Sequence, residues 1–178
     1  MSPAEYVQLK AFARYDGALL AVLWVASFAC YVAGIAQPFY GMVALLLMVF
    51  TPFFVGLRLK KFRDVGLGGI ISLGRGWGYS VYVFFYASVL LALAQYVYFA
   101  YIDQGYLMAA FHRALQSPEA KQVVAQYGMQ QALEESMQQF ASLRPIDYAL
   151  NVLTLNIMVG IVVALPISAA LKRTVVAR

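Results

Sequence analysis

Three long stretches of this chain contain no Asp, Glu, Lys or Arg: 17–57, with 41 residues, 76–102, with 27, and 148–171, with 24. A helix needs about 20 consecutive, mainly apolar residues to cross the hydrocarbon core of a bilayer. The second and third stretches each fit one such helix. The first is twice too long for one and is interrupted at Gln37-Pro38. Proline has no N–H, and its ring disfavours helix in the residue before it. A tight helical hairpin is therefore expected. The pattern predicts spans near 17–36, 40–57, 77–102 and 148–171. Lipid tolerates only helices and closed barrels, and a barrel alternates polar and apolar residues in short segments. These runs are long and continuous, so they are helical.

Composition agrees. The 178 residues are 63% hydrophobic and 12% charged, against about 25% charged in soluble domains. Disordered, collagen-like and disulfide-stapled classes are excluded. The expected fold class is all-α: a polytopic membrane protein with a single transmembrane domain over 1–178, four transmembrane helices, and an amphipathic helical extracytoplasmic segment, 103–147, between helices 3 and 4. Gly34-Ile35-Ala36 resembles a signal-peptide cleavage site. However, Lys10 and Arg14 before it are balanced by Glu5 and Asp16, where a signal peptide would carry a positive leader. The first span is read as a retained membrane helix.

The charges set the orientation. The first 16 residues net zero, 58–75 nets +4, 103–147 nets −2 and 172–178 nets +3. Ten of the thirteen basic residues thus fall on one side. The positive-inside bias places both termini and the 58–75 loop in the cytoplasm, and the hairpin turn and 103–147 outside it. The net charge of +5 does not point to nucleic acid, which needs a basic patch on a soluble fold. Arg58, Lys60, Lys61, Arg63 and Arg75 have two readings. One is topology plus attraction to anionic headgroups, at about 1 kcal/mol per cation. The other is docking of a phosphate-bearing lipid or an acidic partner.

Ser2-Pro3-Ala4-Glu5 has the order of a helix start: a cap, a proline at the first position and an acid that bonds back. A short juxtamembrane helix is expected there. Residues 66–78 hold six glycines, which make a continuous helix costly at about 1 kcal/mol each. A loop or a re-entrant turn is expected, and no nucleotide-binding fingerprint accompanies the glycines. Farther on, Ser117-Pro118-Glu119 starts another helix. Met129, Leu133, Met137 and Phe140 then recur at spacings of four, four and three, one face of an amphipathic helix. Tyr106, Leu107, Ala110, Phe111 and Leu115 form a shorter apolar face, and Gly128 is a break point. A helical pair is expected on the membrane–water boundary or over the bundle, its apolar face either packing there or receiving a partner. Trp77, Tyr79 and Tyr82 at one end of the third span, and Tyr96, Tyr98, Phe99 and Tyr101 at the other, have the distribution of two aromatic belts.

Reactive chemistry is sparse. His112 and Cys30 are the one histidine and the one cysteine. No metal-ligand spacing, nucleophile elbow or zinc-helix motif is present. No catalytic residue, metal or cofactor is expected. The predicted spans contain no ionisable Asp, Glu, Lys, Arg or His, which counts against a small transporter, since ion pathways need such groups. Thr51, Gln95, Asn151, Thr154 and Asn156 remain to bond across helices, at about 0.6 kcal/mol each. Pro52 and Pro166 kink their spans. Ala26, Cys30 and Gly34 in the first span, and Gly160, Ala164 and Ser168 in the fourth, form small-residue ridges. Such ridges join spans within a bundle or join copies of a chain.

The stretch Gly68-Gly69-Ile70-Ile71-Ser72-Leu73-Gly74, a long apolar helix ending in Tyr96-Val97-Tyr98-Phe99-Ala100-Tyr101-Ile102-Asp103, a Gln- and Glu-rich segment, and a last span ending in Leu171-Lys172-Arg173 follow one another. This order resembles the bacterial membrane family catalogued as domain of unknown function 4199, found mainly in the Bacteroidota. The resemblance covers nearly the whole chain. It implies a four-helix protein of the inner membrane and carries no catalytic residue over. It also implies a membrane partner, a polyprenyl-phosphate glycosyltransferase. The expected function is a non-enzymatic accessory subunit that assembles with itself or with another membrane protein. The alternatives are a binder or carrier of an anionic polyprenyl-phosphate lipid and a small transporter. Membrane lipids are expected partners in every case.

Overall fold

The computed structural model describes residues 2–173; Arg178, counted above in the basic tail, lies outside them. The elements are α1 (Pro3–Gly34), α2 (Pro38–Lys61), α3 (Leu73–Val97), α4 (Tyr106–Leu115), α5 (Pro118–Gln126), α6 (Gln130–Ser142) and α7 (Pro145–Leu171). A π-helical turn, Phe62–Gly66, extends α2, and another, Tyr98–Ile102, extends α3. Among the described residues four helices are long and apolar enough to cross a membrane: Pro3–Gly34, Pro38–Gly66, Leu73–Ile102 and Pro145–Leu171. The architecture is all-helical, with short helices between the third and fourth spans, as the charge gaps required.

The boundaries differ from the charge gaps in an instructive way. The expected juxtamembrane helix and the first span are one helix of 32 residues. Its start is sealed by a capping box. Ser2 N–H donates to Glu5 Oε2 at 2.7 Å, and Glu5 N–H donates to Ser2 Oγ at 3.3 Å. No Gly or Pro between Ala4 and Asp16 interrupts it. At about 1.5 Å per residue the helix is about 48 Å long, well beyond an apolar core of about 30 Å. The hairpin turns at an extended Gln37, with Pro38 as the first residue of α2. Gly34 and Gly41 bring the two helices together there, since a Cβ on Gly34 would lie 2.6 Å from the Gly41 nitrogen.

The glycine-rich stretch divides in two. Gly68 (φ +66°) and Gly69 (φ +93°) make the turn that glycine permits. Ile71 then forms an antiparallel bridge with Arg173. From Leu73 the chain is helical through Gly74, Gly76 and Gly78. Packing outweighs propensity there: Gly76 faces Ser168, 3.4 Å from where its Cβ would stand.

Among the described residues the chain forms two compact units, one of 2–93 with 152–173 and one of Ala94–Asn151. The first has its core in Leu9, Leu20, Val55, Leu59, Phe62, Tyr79, Val83 and Ala164. The second contains α4–α6. The expected helical pair is three helices, because Gly128 at φ +62° ends one before Met129 leads into the next. Ser117 Oγ accepts from Ala120 N–H at 3.2 Å and caps α5.

Candidate functional site

The face α1 turns inward is built from Leu9, Ala13, Asp16, Leu20, Trp24 and Ser27, at spacings of three and four. Asp16 sits in the middle of this stripe and is 2% exposed. Gly17 beside it lets α3 approach, since a Cβ there would lie 2.7 Å from Tyr86 Cβ and 2.9 Å from the Val83 carbonyl oxygen. Arg58 of α2 donates from Nε to Asp16 Oδ1 at 2.6 Å, and its Nη2 also contacts that oxygen. Tyr79 of α3 donates its hydroxyl to Asp16 Oδ2. The Tyr79 ring is stacked on Phe62 at 4.6 Å. The Arg58 guanidinium lies 5.7 Å from the Tyr15 ring centre. Asp16 thus ties α1, α2 and α3 together with both carboxylate oxygens occupied. A carboxylate so placed is not presented to a ligand, and it is stable in a low dielectric only with such partners.

Further bonds gather at the same end of the first unit. Arg75 Nη1 donates to Glu5 Oε1 at 3.0 Å. Arg63, brought inward by the π-helical turn, is 3% exposed. It donates to both oxygens of Asp64, at 2.7 and 3.1 Å, and from Nη1 to the Leu171 carbonyl at 3.0 Å. The last carbonyl of α7 is thereby satisfied by a cation. Gln8 Nε2 reaches the Gly66 carbonyl at 3.1 Å, and Tyr6 and Tyr82 join through their hydroxyls. Of the five cations nominated for docking, Arg58, Arg63 and Arg75 are therefore engaged within the fold, and Lys60 and Lys61 are exposed. Tyr79 differs from its expected place in an aromatic belt. It is fully buried, because Asp16 needs its hydroxyl and Phe62 its ring. Trp77 is 39% exposed and donates to the Ile161 carbonyl at 3.1 Å. Trp24 donates to Thr51 at 2.9 Å, beside Pro52, which lies inside the continuous helix α2.

The nominated packing residues separate cleanly. Gly160 is pressed on α3, where a Cβ would lie 2.6 Å from Phe84 Cβ, and Ala164 and Ser168 are buried. That ridge joins α7 to α3. Of the three nominated in α1, Gly34 makes a close approach, to Gly41 of α2, whereas Ala26 is exposed and Cys30 is half-buried. The working surface of α1 is the neighbouring stripe, from which Ser27 donates to the Ala44 carbonyl at 2.9 Å. Gln95 is buried, with Oε1 lacking a partner among the described residues. Asn151 is exposed and Asn156 half-buried.

In the second unit Asp103 organises the turn into α4. It accepts from Tyr98 Oη at 2.9 Å, Gly105 N–H at 3.1 Å and Leu107 N–H at 3.0 Å. A groove of about 570 Å³ runs between α4, α5 and α6, lined by His112, Leu115, Lys121, Leu133, Glu134 and Met137 among others. Of the nominated partner face, Leu133 and Met137 line this groove, whereas Met129 and Phe140 are exposed at 54% and 49%. Among the described residues no group of three His, Cys, Asp or Glu side chains is placed to hold a metal ion.

Four long apolar helices, an internally paired charge cluster and an amphipathic helical insert define a polytopic helical membrane protein. More particularly, the family model described as protein of unknown function (DUF4199) matches residues 15–173, and the chain belongs to that family. No curated protein and no solved structure matches it.

Proposed function

We propose that this chain is a non-enzymatic subunit of the bacterial inner membrane that assembles with itself or with another membrane protein. Both termini and the 58–75 turn face the cytoplasm, where their excess of Lys and Arg is favoured, and α4–α6 lie on the opposite side. The observation that carries this reading is apolar surface left uncovered on the short helices. Phe111, Val123, Tyr127, Met129 and Phe140 are each between 48% and 69% exposed. Apolar side chains left exposed on an amphipathic insert suit the apolar face of a partner. Asp16, Arg58, Arg63 and Arg75 of the first unit support the reading from the other direction, because they are consumed in holding the fold together. The family resemblance nominates a polyprenyl-phosphate glycosyltransferase as the membrane partner.

The test is native mass spectrometry of protein released gently from its own membranes. A multiple of the 19.7 kDa chain, or a complex with a second integral membrane protein, is the expected result. Met129→Gln combined with Phe140→Gln should lower the assembled fraction by about tenfold, the scale of a lost interface anchor. A lone 19.7 kDa species, unaltered by that double substitution, overturns the proposal.

A further inference from the structure

We propose that the paired ends of α2 and α7 form a binding site for the headgroup of an anionic diacyl phospholipid, with Lys60, Lys61, Lys172 and Arg173 as its cations. The site goes beyond the assembly function and stands independently of it. Sequence spacing alone groups Lys60 and Lys61 with Arg58, Arg63 and Arg75. The fold regroups them. Arg58 is given to Asp16, Arg75 to Glu5, and Arg63 to Asp64 and the Leu171 carbonyl. The Arg63–Leu171 bond of 3.0 Å and the two backbone bonds between Ile71 and Arg173, at 2.9 and 3.0 Å, bring the end of α7 beside the turn that follows α2. Lys172 and Arg173 thereby join Lys60 and Lys61, and all four are exposed.

The local carboxylate does not neutralise them. Asp64 lies within electrostatic reach of Lys60 and Arg173, but both its oxygens are held by Arg63. Among the described residues none of the four cations is in an ion pair. Their height favours a lipid as the source of the anion. Lys172 and Arg173 follow directly on the apolar span Pro145–Leu171, Lys60 and Lys61 stand in the last turns of Pro38–Gly66, and the bonds above fix both span ends on one side. Four cations at one headgroup level complement a phosphate diester attached to chains that lie along those helices.

The test uses the full chain in mild detergent, equilibrated with mixed micelles of phosphatidylglycerol and phosphatidylcholine of matched acyl chains. Retained lipid is counted by mass spectrometry. The wild-type protein should enrich phosphatidylglycerol. K60Q/K61Q should lower the enrichment by about fivefold per cation removed, and K60Q/K61Q/K172Q/R173Q should abolish it. R113Q/K121Q, on the short helices, should leave it unchanged. Excess inorganic phosphate should not displace the lipid. Should the quadruple variant fail to fold, K60Q/K61Q alone decides, since both side chains are exposed. Enrichment that survives K60Q/K61Q undiminished overturns the proposal, as does displacement by inorganic phosphate, which would identify a free anion as the ligand. Equal loss in R113Q/K121Q overturns it too, by reducing the effect to overall charge.

Discussion

The two units of the chain hold their polar groups by opposite means. In 2–93 with 152–173 the bonds reach across the sequence. Arg58 finds Asp16 over 42 residues, Tyr79 finds Asp16 over 63, Arg75 finds Glu5 over 70 and Arg63 finds the Leu171 carbonyl over 108. In 94–151 the bonds are local. Tyr98 to Asp103, Ala120 to Ser117, Arg144 to Asp147 and Tyr148 to the Phe140 carbonyl all close within eight residues. The difference follows from the solvent each segment meets. A charge buried between helices, as Asp16 and Arg63 are, needs a permanent partner, and another helix supplies it. A short helix between spans needs its termini satisfied, and its own neighbours suffice. The first unit is welded by its polar groups, whereas the second is only trimmed by them.

The sharpest way to break this comparison is at Asp16. Asp16→Asn leaves Arg58 without its counter-charge in a site where Asp16 is 2% exposed. Removing one member of a buried pair costs about 3–5 kcal/mol. Unfolding in a denaturing-detergent titration should therefore shift strongly, and the α1–α2–α3 contact should loosen. Asp16→Leu with Arg58→Leu should cost less than Asp16→Leu alone, because neither charge is then stranded. A loss below about 1 kcal/mol in Asp16→Asn would show that the pair behaves like an exposed one and that the contrast between the units is false.

Glycine sharpens the same contrast at a smaller scale. Gly160 is required by packing, with Phe84 Cβ 2.6 Å from where its own Cβ would stand. Gly160→Val should cost about 1–3 kcal/mol by overpacking, read in the same titration. Gly128 is required by backbone, with φ +62° and nothing within 4 Å of a built Cβ. Gly128→Ala should cost about 1 kcal/mol and act on α5 and α6 alone, visible as faster amide exchange there with the global transition unmoved. Equal global effects from the two substitutions would erase the distinction.

Spans and insert were legible because hydrocarbon forbids unpaired charge, so the gaps in Asp, Glu, Lys and Arg mark the four spans, though α1 begins well before its gap, at Pro3. Ser2-Pro3-Ala4-Glu5 likewise named the start of α1, and Gly128 the break in the insert. What escaped was pairing. Asp16 reads as the last charge before an apolar run, and Arg58 as the first after it; that they meet depends on the hairpin folding α2 back along α1. The clue was available in α1 alone: Asp16 falls three residues after Ala13 and four before Leu20, on the stripe that includes Leu9 and Trp24. The packing role of Gly17 escaped for the same reason, since a close approach to Tyr86 is a property of two helices. The ridge Ala26, Cys30, Gly34 had the right residue types on a face largely adjacent to the one that packs.

The smallest expected effect lies at Ser117, and it tests whether the second unit is as local as its bonds imply. Ser117 Oγ accepts from Ala120 N–H at 3.2 Å and satisfies one of the free amides at the start of α5, beside Pro118, which has none to satisfy. Ser117→Ala should cost about 1 kcal/mol. Because α5 buries none of its residues fully, that loss has no packed core through which to spread. Amide exchange should accelerate within Pro118–Gln126 and nowhere in the four spans, and the detergent-unfolding midpoint should stay where it is. A shift of that midpoint comparable to the one from Gly160→Val would mean that the cap is coupled to the spans and that the two units unfold as one.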